Sequence, residues 1–185
     1  MWFIYKLNNL NSMQNEFLNP QEILKTLTIK PTMVACDLGC GAGGWTIPLA
    51  KMLPSGMVYA VDILEEPLSF LIANANRQNV SNIKTILSDI EKGVKIINND
   101  EIDLVLIINI LFQLDSIELV LNEADRILKK GGMMLIADWK DNNPMGLKDN
   151  VVKFEEIKKN IIEKGYSIEK EFDAGQYHRG LIFKK

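Results

Sequence analysis

The sequence is poor in cysteine and in net charge, and it has no long apolar run. Two cysteines among 185 residues exclude a disulfide framework, and with the missing signal peptide they indicate a reducing cytoplasm. A net charge of −3 gives no basic surface of the kind that binds nucleic acid. The longest apolar run, from Leu104 to Leu114, is far shorter than the roughly 20 residues of a membrane-spanning helix. We therefore expect a cytoplasmic protein without a membrane span or a nucleic-acid partner.

The composition that is present is that of an ordinary globular domain. Hydrophobic residues make up 47% of the chain and charged residues 24%, which is close to the average of folded soluble proteins. A single hydrophobic core commonly closes at this length. Disordered and collagen-like chains are therefore excluded, and we expect one domain.

Short apolar runs alternate with helical patterns from residue 33 to residue 139. This alternation is typical of a parallel sheet covered by helices on both faces. The predicted strands are Met33–Asp37, Met57–Asp62, Ile83–Leu87, Ile102–Ile108 and Met133–Trp139. The predicted helices between them span residues 44–53, 66–78 and 116–129, and Gly131 and Gly132 are expected to end the last of these.

The two ends of the chain add further elements. Asn19 and Pro20 predict the start of a helix, and the apolar spacing in residues 1–18 predicts an arm packed on the domain or, alternatively, a cap over a ligand pocket or an interface. At the other end we predict a helix over 154–164 and two antiparallel strands, Tyr166–Phe172 and His178–Lys184. The whole pattern predicts an α/β fold with a Rossmann-like, doubly wound sheet of seven strands, mostly parallel, with an antiparallel strand near one edge.

The segment from Val34 to Trp45 is the most informative part of the sequence. A buried strand runs into a glycine-rich loop and then into a helix, and glycine lets a ligand approach the backbone closely. The spacing Gly39-x-Gly41-x-x-Gly44 satisfies the dinucleotide fingerprint, with Asp62 in the ribose-binding place. The motif alone leaves open a dinucleotide or another adenosine-bearing ligand.

Three aspartates follow three neighbouring strands. We expect Asp37 to face the mouth of the glycine loop, where a carboxylate would repel a pyrophosphate but suit a cation. S-adenosylmethionine carries an ammonium and a sulfonium and no phosphate. Asp89 could accept a hydrogen bond from an adenine amino group, although Asp37 or Asp89 taken singly could simply cap a loop or a helix. Together with Asp62 and the glycines, the set favours an adenosyl ligand.

Several short motifs follow one another in a fixed order along the chain. They are Cys36–Gly43, Tyr59–Asp62, Ser88–Asp89, Asp103–Asn109 and Leu128–Leu135. In this order they resemble the motifs of the class I S-adenosylmethionine-dependent methyltransferases, most closely the small ubiquinone- and menaquinone-biosynthesis-type branch. The resemblance extends from Asn19 to the end of the chain.

This resemblance implies roles for individual residues and a layout for the chain. Gly39, Gly41 and Gly43, with Cys40 between them, would shape the loop around the methionine part, and Asp37 would lie near its amino group. The remaining cofactor contacts would come from Asp62 to the ribose, from Ile63, Ser88, Asp89 and Ile90 to the adenine, and from Asn109 near the transferred methyl. Together with the length and the predicted elements, it gives a single methyltransferase domain over residues 1–185, with an N-terminal arm and helix (1–30), a cofactor-binding core (31–139) and a C-terminal helix and strand pair (140–185).

The candidates for catalysis lie near the C-terminus. His178 is the only histidine, and an imidazole with its usual pKa of about 6.5 suits a general base, so we predict that His178, with Tyr177, lines the acceptor pocket. The alternative is that His178 is a polar residue at a sheet edge. The resembled family often has histidine near Gln113, where this chain has glutamine.

A metal site is not expected. A tetrahedral zinc site lacks ligands in a chain with one histidine and two cysteines, and Cys36 and Cys40 are better explained as small buried residues.

We therefore predict methyl transfer from S-adenosylmethionine to a small-molecule acceptor by in-line displacement. The alternatives are a non-catalytic protein of this fold that binds the cofactor or a partner, and an NAD(P)-dependent reductase. The oligomeric state is left open, with a homodimer as one option.

Overall fold

The computed structural model describes residues 18–140 and 152–185. The predicted arm falls almost wholly outside these residues, and so does the loop predicted after Trp139, from Asp141 to Gly146. Within the described ranges, no helix is long and apolar enough to cross a membrane.

Seven strands and five helices make up the described part of the chain, together with two single 3-10 turns, Ile90–Lys92 and Leu111–Gln113. The strands are β1 (Val34–Leu38), β2 (Met57–Asp62), β3 (Ile83–Leu87), β4 (Ile102–Ile108), β5 (Leu128–Trp139), β6 (Ser167–Asp173) and β7 (His178–Lys184). The helices are α1 (Pro20–Leu24), α2 (Thr46–Met52), α3 (Glu65–Arg77), α4 (Ile117–Ile127) and α5 (Phe154–Glu163).

The strands form one sheet in the order β3-β2-β1-β4-β5-β7-β6. The first five are parallel to one another, whereas β7 runs antiparallel to both of its neighbours, β5 and β6. This confirms the predicted mostly parallel, seven-stranded sheet with an antiparallel strand next to one edge. The order reverses between β1 and β4, and in open α/β sheets this is where ligands bind.

Two apolar layers cover the two faces of the sheet. On one face Leu104 and Leu106 of β4 pack with the core side chains of α1, α2 and α3. On the other face Val105 and Ile107 pack with α4 and α5. Since both faces of β4 are buried, successive residues of this strand are apolar, which explains why the run was visible in the sequence.

The start of α1 agrees with the prediction made from Asn19 and Pro20. The Asn19 side chain accepts a hydrogen bond from the amide of Glu22 at 3.3 Å, and Pro20 is the first helical residue. Asn19 therefore satisfies one of the amides that a helix leaves without an internal partner.

The prediction was wrong at Gly131 and Gly132, which do not end a helix. Helix α4 ends earlier, at Ile127, and the chain passes directly into β5 at Leu128, which pairs with Ile102 of β4. Gly131 donates its amide hydrogen to the carbonyl of Lys185, and Lys185 donates to the carbonyl of Gly132. The glycines therefore lie in a bend of β5 that pairs with the C-terminal residue.

Candidate active site

Polar side chains gather where the parallel strands end. Because these ends meet at one edge of the sheet, the residues that follow them come together around the switch point between β1 and β4. They are Asp37 in β1, Asp62 at the end of β2, Ser88 and Asp89 after β3, Asn109 after β4 and Asp138 near the end of β5.

Two glycines of the loop after β1 are required by packing within the protein. Gly39 and Gly43 have φ values of +80° and +88°, a region that side-chain-bearing residues rarely adopt. A Cβ at Gly39 would lie 2.7 Å from Cγ1 of Ile110, and one at Gly43 would collide with the side chain of Leu71. These two positions therefore fit the loop tightly against its neighbours.

Two other glycines border open space. In the described part of the chain, a Cβ at Gly41 or Gly44 would meet no heavy atom within 4 Å. Gly41 has a φ of +52°, so its backbone conformation also favours glycine. This side of the loop is where a ligand has room to approach the backbone.

The amides of the loop are largely engaged within the protein. Gly39 and Cys40 both donate to the carbonyl of Val61 at 2.9 Å, and Gly43 donates to the carbonyl of Cys40 at 3.0 Å. Gly41 donates to Oδ2 of Asp62 at 2.8 Å. A pyrophosphate is normally held by free amides at such a loop, so this hydrogen bonding favours a ligand without phosphate.

Asp62 connects the glycine loop to the end of β2. Its Oδ2 accepts the bond from Gly41, and its Oδ1 accepts a bond from the amide of Leu64 at 3.0 Å. A carboxylate offers about four acceptor sites, so Asp62 can also accept bonds from hydroxyl groups of a ligand. The neighbouring Ile63 side chain is 62% exposed, which leaves an apolar surface beside this carboxylate.

Asp37 is buried, whereas the sequence led us to expect it at the open mouth of the loop. Its side chain is 2% exposed, and its Oδ2 accepts a hydrogen bond from the Thr46 hydroxyl at 2.6 Å. Burial raises the pKa of Asp37 to about 6, although the Thr46 bond opposes that rise. Asp37 thus ties β1 to the start of α2, and its contact with a ligand amino group stays a prediction.

Asp89 caps the 3-10 turn that follows β3. It accepts a hydrogen bond from the amide of Glu91 at 3.0 Å and forms an ion pair with Lys92 at 2.9 Å. The hydrogen bond from Lys92 and then that from Glu91 hold the pKa of Asp89 below its usual value. The capping role considered from the sequence is present, and the binding of adenine by Asp89 stays a prediction.

Ser88 and Ile90 flank this aspartate. The Ser88 amide donates to the carbonyl of Asp62 at 2.9 Å, which holds the ends of β2 and β3 together. The Ile90 side chain is buried in the apolar layer shared with α4. Their proposed contacts with adenine would therefore come from the backbone or the Ser88 hydroxyl.

Asn109 is the most unusual residue at the switch point. It has a φ of +53°, its amide donates to the carbonyl of Ala137 at 2.9 Å, and its carbonyl accepts a bond from Gln113 at 3.2 Å. Its side-chain oxygen is buried, and no group in residues 18–140 or 152–185 donates to it. Buried polar atoms nearly always have a partner, so this acceptor fits a ligand that brings a donor or a positive charge.

Asp138 was not predicted as a site residue. It is fully buried and accepts hydrogen bonds from the amides of Leu111 at 2.9 Å and Trp139 at 2.8 Å. Burial raises the pKa of Asp138 to about 6. Asp138 thereby anchors the turn Leu111–Gln113, which follows Asn109, to the end of β5. A single carboxylate at the end of the apolar run Met133–Ala137 was the signal that could have revealed it.

His178 is a buried, neutral histidine that contacts Trp139. The two ring centroids are 4.0 Å apart, and the His178 side chain is 1% exposed. Neither ring nitrogen has a hydrogen-bond partner in the described part of the chain. Burial, and then the nearby Lys140, lowers the pKa of His178 to about 4.

The structure corrects the alternative that placed His178 at a sheet edge. It is the first residue of β7, an inner strand between β5 and β6. It pairs with Trp139 where the parallel strands end, which is also where the polar groups described above lie. Tyr177 precedes it, and its carbonyl accepts a bond from the amide of Lys140 at 2.8 Å.

The two cysteines are buried thiols. Burial raises the pKa of both Cys36 and Cys40, so neither is a thiolate at neutral pH. Cys40 directs its thiol to the carbonyl of Gly41 at 3.6 Å. Among the residues that the structure describes, no three histidine, cysteine, aspartate or glutamate side chains form a group that could hold a metal ion.

Comparison with known families decides between the two ligand classes left open for the site at these strand ends, a dinucleotide and another adenosine-bearing ligand. A family model described as a methyltransferase domain matches residues 29–177, about four-fifths of the chain. The chain belongs to this methyltransferase-domain family. The match includes the glycine loop, all the polar residues at the ends of β1 to β5, and Tyr177.

Several curated relatives of this chain are named demethylmenaquinone methyltransferase. The chain is 32% identical over 129 residues to the demethylmenaquinone methyltransferase of Staphylococcus carnosus. This alignment covers 69% of the chain but 52% of that enzyme, so the chain spans about half the length of the curated relatives it matches. The relationship agrees with the branch that the motifs resembled.

Solved structures show the same fold. An S-adenosylmethionine-dependent methyltransferase from Aquifex aeolicus superposes with a TM-score of 0.80 at 24% identity, covering 92% of each chain. The (4+2)-cyclase SpnF superposes with a TM-score of 0.78 at 12% identity, covering 90% of this chain and 80% of SpnF. At these identities the likeness establishes the fold, and the second case illustrates that one fold can serve different reactions.

Proposed function

We propose that this methyltransferase domain transfers the methyl group of S-adenosylmethionine to a small-molecule acceptor. The observation that carries the proposal is the buried side-chain oxygen of Asn109, which lacks a donor in the described part of the chain and lies at the switch point beside a loop whose amides are largely engaged. This combination suits a cationic ligand without phosphate better than a dinucleotide. The methyltransferase-domain family and the relative from Staphylococcus carnosus support the same function.

Different residues around the loop would bind different parts of S-adenosylmethionine, the methyl donor. Asp62 would accept bonds from the ribose hydroxyls while keeping Gly41 in place, and Ile63 would cover the adenine with its exposed apolar side chain. Asp89 and the backbone near Ile90 would hold the adenine edge. Residues 31–139 would thus form the cofactor-binding core. When bound, S-adenosylmethionine supplies a methyl group on a positively charged sulfur.

The leaving group of this reaction is a neutral thioether, so the protein has no departing charge to stabilise. Its main contribution would be to hold the acceptor in line with the methyl group, where orientation can supply about 7–11 kcal/mol. His178 would serve this purpose as a neutral imidazole, which offers one donor and one acceptor beside the Trp139 ring. With Tyr177 next to it, His178 would line the acceptor pocket at the ends of β5 and β7.

The chemical identity of the acceptor is best tested first with a demethylated menaquinone. The curated relative is named for this acceptor, and the aromatic ring of Trp139 offers an apolar contact for a quinone ring. The assay would follow transfer of labelled methyl from S-adenosylmethionine, with His178→Ala as the test variant. Unchanged turnover in this variant would show that His178 has no role in the acceptor pocket.

Thermal unfolding with added ligands tests the cofactor directly. We expect S-adenosylmethionine and S-adenosylhomocysteine at 100 times their dissociation constants to stabilise the fold by about 2.7 kcal/mol, a rise of roughly 5–10 °C in the midpoint. NADH should have no effect, and Asp62→Ala should abolish the shift. Glu169→Ala, which removes an exposed carboxylate from β6, is the matched control and should keep it. A shift with NADH alone, or no shift with any of the three ligands, would contradict the proposal.

A further inference from the structure

We propose that a second pocket, on the α4–α5 side of the sheet, binds a small molecule with an apolar body and a cationic amino group. The pocket has a volume of about 410 Å³ and lies between the turn Leu111–Gln113, the first turn of α4, and α5. None of the predicted cofactor-binding residues is among its described lining residues. The site is therefore separate from the proposed methyl-transfer function and does not depend on it.

The floor of this pocket is apolar, and polar or charged side chains line the rest of it. Leu111, Leu121 and Ile157 belong to the buried layer beneath it, and Phe112 is partly buried against the same layer. Ligand pockets in proteins typically combine such an apolar lining with a few polar groups that fix orientation. An apolar body of the size of a substituted benzene ring fits this volume and this lining.

One side chain that lines the pocket has a polar atom without a partner. Asn160 lies in α5 and lines the pocket, and its side-chain oxygen is buried without a hydrogen-bond partner in the described part of the chain. Buried side-chain oxygens are almost always hydrogen-bonded in folded proteins. A ligand that brings a donor to the Asn160 side chain would therefore satisfy this oxygen.

The charges that line the pocket favour a cation. Glu156 forms an ion pair with Lys153 at 3.1 Å, so these two charges compensate each other. Asp115 and Glu118 are exposed residues that also line the pocket, and within the described residues neither forms an ion pair. Two uncompensated carboxylates attract a cation and repel an anion, and an amino group also satisfies the acceptor on Asn160.

The probe for this site is 2-phenylethylamine, with 2-phenylethanol as its neutral counterpart of similar shape. In protein-observed NMR titrations of the full chain, we expect the amine to shift the signals of Leu111, Phe112 and the Asn160 side-chain amide. The alcohol should bind at least about tenfold more weakly, since it lacks the charge. Absence of these shifts up to roughly 10 mM amine, or equal affinity for the alcohol, would overturn the proposal.

Three variants separate the role of the pocket from general stability. Asn160→Leu and Glu118→Gln should each weaken amine binding about tenfold. Asn160→Leu should not lower the melting temperature, because it removes a buried polar atom that has no partner. Glu163→Gln makes the same charge change near the end of α5, outside the pocket lining, and should leave the affinity unchanged. Unchanged affinity in both pocket variants would overturn the proposal.

The outcome for this pocket is distinguishable from the outcome for the proposed function. All three variants should retain the thermal shift with S-adenosylmethionine. If the chain binds the amine but no adenosyl ligand, the pocket proposal is supported and the methyltransferase proposal is contradicted. If it binds an adenosyl ligand but not the amine, the methyltransferase proposal is supported and the pocket proposal is contradicted.

Discussion

At the scale of single residues, the glycine loop contains glycines of two kinds. Gly43 leaves no room for a side chain because Leu71 occupies the space, whereas Gly41 borders open space. Both have positive φ values, so any other residue would be strained at either position. We therefore expect glycine to be required for packing at Gly43 and for ligand binding at Gly41.

This difference predicts that the same substitution has different effects at the two glycines. Gly43→Ala should lower the free energy of unfolding by roughly 3 kcal/mol or more, because strain is added to a collision with Leu71. Gly41→Ala should cost about 1–2 kcal/mol, from the backbone alone, but weaken S-adenosylmethionine binding more than its stability loss explains. Urea unfolding and ligand titration of both variants measure the two effects. Equal losses of stability would contradict the assignment.

A second residue-scale feature is the carboxylate of Asp138, which two amides share. Asp138→Ala should destabilise the fold by roughly 2–3 kcal/mol, because the amides of Leu111 and Trp139 lose their acceptor inside the protein. Asp138→Asn keeps one acceptor oxygen and should recover part of this loss.

The readout that distinguishes a positioning role from a purely structural one is ligand affinity. Since Asp138 anchors the turn that follows Asn109, the alanine variant should bind S-adenosylmethionine more weakly and the asparagine variant should restore part of the affinity. If both variants bound the ligand as tightly as the parent while losing stability, Asp138 would have no part in positioning the site.

At the scale of elements, the bounds predicted for β2, β3, β4 and β7 match the structure. In β2 and β4 a largely buried apolar run is bordered by polar or glycine residues, so its limits were visible in the sequence. The start of β5 was not predictable, since the Leu128–Gly132 segment is a strand only through its pairing with Ile102 and Lys185. These partners are distant in sequence, and local patterns carry no information about them.

The candidate site shows the same limit. Which residues stand at the strand ends followed from the motif order, but their hydrogen bonds did not. The burial of Asp37 against Thr46 and the unpaired oxygen of Asn109 depend on how α2 and the turn after β4 pack. The lowered pKa of His178 likewise follows from the burial of its ring against Trp139, which the sequence does not reveal.

At the scale of the whole molecule, buried titratable groups make stability depend on pH in opposite directions. The pKa values of Asp37 and Asp138 are raised to about 6, so the stability that their protonated forms contribute is fully present below about pH 4 and is lost as the pH rises through 6. The pKa of His178 is lowered to about 4, so its unfavourable protonation reduces stability as the pH falls from 6.5 to 4.

Replacement of the histidine should isolate one of these effects. Relative to the parent, His178→Phe should gain about 1 kcal/mol of unfolding free energy between pH 7.5 and pH 5.5, because the parent must keep a buried imidazole neutral over this range. Urea unfolding at the two pH values, with His178→Gln as a polar comparison, provides the measurement. If the difference in unfolding free energy between the parent and His178→Phe were the same at both pH values, the pKa of His178 would not be lowered by folding.

The pairing of Lys185 with Gly131 and Gly132 has a practical consequence for handling the protein. This contact lies at the edge of the sheet where the parallel strands begin, opposite the edge that carries Asp62, Asn109 and His178. A fused tag or a surface linker that continues from Lys185 therefore leaves the domain on its far side. Immobilised in this way, the protein would present the proposed ligand-binding edge to solution, which suits it to the binding measurements proposed above.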